Sequence, residues 1–253
     1  MSDSVSRRAL ITGAGRGIGR GIALAFAKVG IDLALVDVLG ADCERTAQDV
    51  GRLGQRALAI KADVGKLRDC EAAVDASVAF LGGLDVLVNC AIQTRVGQAL
   101  VDQSEEDIAM NWETGALATF RLMKLAHPHL KASVSGSVIN FGSGNGTEGL
   151  AGTAAYAASK EAVRALSKVA AREWGRDGIR VNTLCPFANS PGMTQFAEEF
   201  PAVFQATLDQ TMLGRIGDCE QDIGAVAVFL ASDVSSYVTG QTLMVDGGLH
   251  GFR

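Results

Sequence analysis

The chain has 253 residues, 30 of them Gly and only 4 Pro, with 48% hydrophobic and 20% charged residues and a formal net charge of −5. This length and apolar content suffice for one large buried core and exclude a disordered chain. The acidic balance, with no run of five or more like charges, excludes a nucleic-acid-binding surface covering the protein.

In chain order, short apolar runs of β type fall at 9–12, 33–37, 57–61, 85–88, 137–141, 180–184 and 242–245. They are almost continuously apolar rather than alternating, as parallel strands covered on both faces should be. Helical patterns occupy the intervals, for example 17–29, 66–81 and 104–130. Such alternation predicts an α/β fold, a doubly wound sheet of about seven parallel strands with helices on both faces, in one domain spanning 1–253. Pro186, Pro191 and Pro201 cluster after the sixth strand, marking an irregular insertion at about 187–215. It carries Met193, Phe196, Phe200, Phe204, Met212 and Leu213 and reads either as a lid over a site or as packing or subunit contact.

No segment reaches the ~18 uncharged apolar residues of a membrane span, and the apolar run after Arg7-Arg8 stops at Thr12-Gly13, too early for an export signal. Five scattered cysteines (Cys43, Cys70, Cys90, Cys185, Cys219), odd in number and without CxxC spacing, support neither a disulfide framework nor zinc. His127 and His129 flank Pro128 without a carboxylate cluster, so no metal site is read. The expected location is cytoplasmic.

The string Thr12-Gly13-Ala14-Gly15-Arg16-Gly17-Ile18-Gly19 follows the first strand and opens the first helix. Glycines there let the backbone approach a pyrophosphate, and the helix start offers free N–H groups and a positive dipole end. In this strand–turn–helix setting it is a Rossmann-type dinucleotide signature. Asp37, ending the second strand, can accept from an adenosine ribose diol and would repel a 2′-phosphate. Arg16 could instead bind such a phosphate. The balance predicts NAD rather than NADP.

Tyr156 and Lys160 share a helix face four residues apart, and an ammonium held close would lower the phenol's pKa. Ser143 lies just past the fifth strand, at the carboxyl edge where ligands of open α/β sheets bind, and could hold a carbonyl or carbinol oxygen. Together with Ala62-Asp63-Val64, Asn89, Asn111, YAASK (156–160), IRVN (179–182) and VDGG (245–248), these residues resemble the short-chain dehydrogenase/reductase family over essentially the whole chain.

The resemblance implies roles residue by residue. Tyr156 would be the general acid/base, with Lys160 lowering its pKa and holding the nicotinamide ribose. Ser143 would position the substrate oxygen, and Asn111 would bind a water connecting Lys160 to solvent. Gly13, Gly15, Arg16, Gly17, Ile18, Gly19 and Asp37 would hold the dinucleotide. Asp63 would accept from the adenine amino group, with Val64 against its ring, and Asn89 and Ala91 would lie beside the cofactor. Pro186 and Phe187 stand where the family holds the nicotinamide. Ser143, Asn145, Phe187 and Met193 would line the substrate site. A homotetramer is implied, with helices at about 104–130 and 153–174 paired in one interface and the C-terminal strand region in another.

Two departures stand out. The family's Asn-Asn-Ala-Gly becomes Asn89-Cys90-Ala91-Ile92, placing a β-branched side chain near the cofactor cleft. Its Pro-Gly with Thr four residues on becomes Pro186-Phe187 and Pro191, so the carboxamide contact passes to backbone or to Ser190 or Thr194. Arg164, Lys168 and Arg172 form a basic stripe, either solvated, subunit-facing or an acidic-carrier dock. The expected reaction is NAD-linked interconversion of a medium-sized, mainly apolar secondary alcohol and its ketone, with Gln93, Arg95 and Glu148 as polar selectors. The alternatives are an NADP-dependent 3-oxoacyl-carrier-protein reductase and a catalytically silent dinucleotide-binding sensor.

Overall fold

A computed structural model describes residues 7–250. Seven strands, β1 (Arg8–Thr12), β2 (Asp32–Asp37), β3 (Ala57–Lys61), β4 (Val86–Asn89), β5 (Ser137–Phe141), β6 (Arg180–Pro186) and β7 (Thr242–Val245), form one sheet in the order β3-β2-β1-β4-β5-β6-β7. All six pairings are parallel. β2, β4 and β5 are buried along their whole length, which is why they read as unbroken apolar runs.

Alternate residues of the same strands feed two cores. Ala9, Ile11, Leu33 and Leu35 pack with Ile22 and Phe26 of α1 (Gly17–Lys28) and Ala227 and Leu230 of α10 (Ala225–Ala231), against α2 (Gly40–Arg52) through Cys43 and Val50. Leu10, Ala34, Val36, Leu87 and Val138 pack instead with α3 (Leu67–Leu81), α5 (Ala118–Lys131) and α7 (Ala154–Trp174). The chain winds outward in both directions from β1 and β4, whose ends pair Thr12 with Asn89. That reversal opens a crevice at the carboxyl ends of the strands.

The helix expected over 104–130 is interrupted. It runs as α4 (Glu105–Asn111), a π-helical turn at Trp112–Leu117, and α5. Ser159 of α7 causes the widening: its Oγ donates to the Asn111 carbonyl (2.8 Å) and accepts from the Ala116 amide (3.2 Å). Gly115 makes the approach possible, because a Cβ there would overlap Ser159 Oγ. Thr114 Oγ1 takes up the Met110 carbonyl (2.8 Å) and accepts from the Gln93 amide (3.0 Å). π-Helical turns of this kind recur at functional sites.

Beyond β5 lie α6 (Gly144–Glu148) and α7; beyond β6, α8 (Pro191–Glu199) and α9 (Pro201–Leu208) occupy the expected insertion. Among the described residues no helix is long and apolar enough to cross a membrane. Because Ser159 satisfies two main-chain groups of the π turn, Ser159→Ala should cost about 1–3 kcal/mol of unfolding free energy, read by urea denaturation.

Candidate active site

The glycine turn is built for close approach. Gly13 (φ +68°) sits against the start of the loop after β4, where a Cβ would come within 2.9 Å of Ala91 Cα. A Cβ at Gly19 would collide with the Gly13 carbonyl, and one at Gly15 would lie 3.0 Å from Asp37 Oδ2. Thr12 locks the neighbouring loop, its Oγ1 accepting from the amides of Cys90 (3.1 Å) and Ala91 (3.2 Å). Arg16 caps α1 in extended conformation without a side-chain cap, and no acidic residue occupies the first turn. The N–H groups around Gly17, Ile18 and Gly19 are therefore left to an anionic ligand.

Asp37 is buried at the end of β2. Its Oδ2 accepts from the Gly15 amide (2.8 Å) and its Oδ1 from the Leu39 amide (2.9 Å), which fixes the carboxylate facing the turn with acceptor capacity left for a diol. Exposed Val38 and Leu39 follow it, so no basic side chain stands immediately beyond. Arg16 is exposed and forms no ion pair among the described residues, whereas Arg45 is paired with Asp42. These groups fit a bound dinucleotide.

The other expected cofactor residues have the following partners within the protein. Asp63 is engaged locally: Oδ1 accepts from the Gly65 amide (3.0 Å) and Oδ2 pairs with Lys66 Nζ at 3.2 Å. Val64 is buried in the core beneath α3 and α5. Asn89 donates through Nδ2 to Asn140 Oδ1 (2.8 Å), and Asn140 in turn donates to Ser167 of α7 (2.8 Å). Asn89 Oδ1 is buried with no donor among the described residues. Ile92 reaches the π turn: its Cδ1 comes within 3.3 Å of where a Gly115 Cβ would stand.

Pro186 ends β6 against Val245, and Phe187 is buried with its amide donating to the Val245 carbonyl (3.1 Å). Ser190 accepts from the Met193 amide (3.4 Å) to start α8, and Ser190 and Pro191 lie against Gly17, where a Cβ would be 3.0 Å from Pro191 Cδ. The insertion therefore begins directly on the glycine turn. Thr194 Oγ1 is occupied by Asn189 Oδ1 (3.1 Å) and the Ser190 carbonyl. Met193 is half-buried on α8.

Ser143, Tyr156 and Lys160 come together at the ends of β5 and α7. Ser143 Oγ accepts from the Asn145 amide (3.2 Å), starting α6, and Ser143 lies close enough to the Tyr156 phenol to act on its pKa. Lys160, 4% exposed, donates from Nζ to the Phe141 carbonyl (2.8 Å) and lies 5.7 Å from the Tyr156 ring centroid. Burial lowers its pKa to about 8. Burial also raises the Tyr156 pKa above its ordinary 10, against Ser143, which lowers it. With its pKa at about 8, Lys160 is neutral near pH 10 unless further acceptors hold its proton.

Asn111, at the end of α4, is fully buried; its Nδ2 donates to the Asp107 carbonyl (2.9 Å), and its carbonyl accepts from Ser159 Oγ. Its Oδ1 is buried with no donor among the described residues. Two residues that sequence reasoning missed position the site. Gln103 Oε1 accepts from the Ala155 amide (2.9 Å), capping the first turn of α7 beside Tyr156, and Ser159 locks that helix to the π turn. Neither residue type at its position carries a local signal of a long-range partner.

Of the remaining polar candidates, exposed Arg95 pairs with Asp107 at 3.2 Å, exposed Gln93 binds Thr114 through its backbone, and Glu148 ends α6. Arg164 is paired with Glu161 at 2.7 Å, so the basic stripe shrinks to exposed Lys168 and Arg172. Burial holds Cys90 at about 12 and Cys185 at about 11, so both are neutral thiols at ordinary pH. Among the described residues no group of three or more His, Cys, Asp or Glu could hold a metal ion.

Comparison with known proteins agrees with this geometry. A family model described as Enoyl-(Acyl carrier protein) reductase matches residues 13–250. The chain is 39% identical over 248 residues to 12alpha-hydroxysteroid dehydrogenase of Clostridium sp., covering 95% of each. It is 36% identical to 3-oxoacyl-[acyl-carrier-protein] reductase FabG of Staphylococcus aureus over 97% of this chain and 99% of the relative. A crystal structure of a candidate short-chain alcohol dehydrogenase from Sinorhizobium meliloti 1021 superposes with a TM-score of 0.91 at 33% identity, covering 97% of both chains. A parallel sheet with its glycine turn and its Ser, Tyr and Lys at one carboxyl edge, matched end to end by these relatives, places the chain in the short-chain dehydrogenase/reductase family of NAD(P)-binding oxidoreductases.

Proposed function

We propose that the protein interconverts a medium-sized, mainly apolar secondary alcohol and its ketone, with NAD(H) as cofactor. The observation that carries this reading is the convergence of Ser143, Tyr156 and buried Lys160 at the ends of β5 and α7, at the edge of the crevice that Gly13, Gly15 and Gly19 leave open. Ser143 Oγ holds the substrate oxygen, and Tyr156 Oη takes the carbinol proton in oxidation or returns it in reduction. Lys160 Nζ is free to exchange its single carbonyl partner for ribose hydroxyls, and ligand oxygens around it restore the ammonium that lowers the phenol's pKa. The bound nicotinamide supplies hydride transfer. Asn111 is kept in the proton path through its open acceptor Oδ1, which suits a water donor, rather than through its carbonyl.

NAD is favoured by the Asp37 carboxylate fixed toward Gly15, where a 2′-phosphate would be repelled. A second reading, an NADP-linked reductase of carrier-bound 3-oxoacyl groups, is favoured by exposed, unpaired Arg16 and by the FabG relatives. The apolar substrate is supported by exposed Phe200, Val203, Met212 and Leu213 along the insertion, read as a lid, and by the name of the hydroxysteroid dehydrogenase relative. For subunit assembly we propose a homotetramer. The outer face of α5 and α7 carries an apolar groove of Phe120, Met123, Val169 and Trp174, suited to pairing with a second copy.

Titration with NADH and NADPH tests the cofactor: NADH should bind at least about tenfold tighter, and Asp37→Ser should narrow the gap, whereas tighter NADPH binding sends the reading to the carrier-protein reductase. Tyr156→Phe should lower kcat for oxidation of a 12α-hydroxysteroid or cyclohexanol by roughly 10²- to 10⁴-fold while leaving NADH affinity unchanged. Unchanged kcat would remove Tyr156 from the chemistry. Light scattering should give four times the 26.3 kDa of one chain; a stable monomer would contradict the tetramer.

A further inference from the structure

We propose that His250 is a positioning residue for the substrate oxygen: clamped by Asp246, its imidazole braces the turn that carries Ser143 and ties that turn to the end of the lid. The proposal rests on the reading of Ser143 as the group that holds the substrate.

After β7 the chain doubles back in a turn organised by one carboxylate. Asp246 is 4% exposed; its Oδ1 accepts from the Gly248 amide (3.0 Å), and its Oδ2 accepts from the His250 amide (3.0 Å) and lies 2.9 Å from His250 Nδ1. A carboxylate has no proton to give at neutral pH, so Nδ1 is the donor and the ring orientation is set.

The ring so fixed is laid on Gly144. A Cβ at residue 144 would overlap His250 Cε1 and Nδ1 and come within 2.6 Å of Cγ. Gly144 is not among the residues with positive φ, so its backbone would accept any side chain. What requires glycine there is the imidazole. Gly144 follows Ser143 directly, and Ser143 organises the turn through its Oγ, which accepts from the Asn145 amide, and its carbonyl, which accepts from the Gly146 (3.1 Å) and Thr147 (3.4 Å) amides.

The same short turn touches the end of the lid segment. The Leu213 amide donates to the Gly247 carbonyl (3.1 Å), and Met212 packs on Gly248, where a Cβ would come within 2.8 Å of its Cγ and Sδ. Residues 246–250 thus contact both the Ser143 turn and residues 211–213. A shift at the lid's end is passed to the Ser143 turn through a ring that cannot rotate independently.

The test combines His250→Ala, Gly144→Ala and the double variant, assayed with a 12α-hydroxysteroid and NAD, with amide hydrogen exchange of the free protein. His250→Ala should lower kcat roughly 10- to 100-fold with the KM for NAD unchanged, since sub-ångström misplacement of a reacting group costs that much. Gly144→Ala should do the same alone but add less than about twofold in the His250→Ala background. The Asn145, Gly146 and Thr147 amides should exchange at least about tenfold faster in His250→Ala while β5 amides do not change. Additive losses, or unchanged exchange at 145–147, would overturn the brace. If Ser143→Ala abolishes turnover while His250→Ala is fully active, the brace fails and the reading of Ser143 stands; if Ser143→Ala retains full turnover, that reading fails. Should His250→Ala not fold, His250→Asn keeps a donor to Asp246, removes the ring from Gly144, and should show the same kcat loss.

Discussion

The site depends on one buried ammonium. Lys160 lies in the interior with the Phe141 carbonyl as its hydrogen-bond partner, and burial has brought its pKa from 10.5 to about 8. By the usual conversion that displacement is worth roughly 3 kcal/mol against the charged form. Its sign is destabilising below pH 8, where both folded and unfolded chains carry the proton. The penalty is relieved as pH rises from about 8 toward 10.5, where the unfolded chain alone stays protonated. Tyr156 acts oppositely: burial raises its pKa, so folding loses stability as pH climbs past 10. Sheet and helices hold a pair that neither member would choose alone.

What offsets the strain is the anchoring of α7. Gln103 caps its first turn, Ser159 enters the π turn, and Arg164 bonds to Glu161 and reaches Thr242 of β7. The glycine turn does the corresponding work on the cofactor side. It removes every Cβ that would separate the backbone from the loop after β4 and leaves the start of α1 uncapped. Two half-sites, each unfavourable without a ligand, then face one crevice. In the proposed function an anionic dinucleotide would relieve both, by accepting from the free N–H groups and by returning acceptors to Lys160.

The strands were legible because both faces of the sheet are covered, which writes their positions as apolar runs; each observed strand lies within about two residues of its expected span. The turn at 12–19 and Asp37 were legible from their strand–turn–helix setting, and Ser143, Tyr156 and Lys160 from the order of motifs that the chain shares with the family. The π turn was not, since it depends on a hydroxyl arriving from a helix 43 residues away in sequence. Nor could spacing show that Asn89 would bond to Asn140 across the sheet, or that Ile92 would reach Gly115. His250 gave no signal, because a lone histidine has no periodicity and the VDGG string before it does not show which turn the ring meets.

The most direct test of this account is the titration of Lys160 itself, followed by NMR of lysine-labelled protein and assigned with Lys160→Met. The account expects a midpoint near 8 in the free protein and an upward shift when NADH is bound. A midpoint near the ordinary 10.5 in the free protein, or one that NADH does not move, would contradict it.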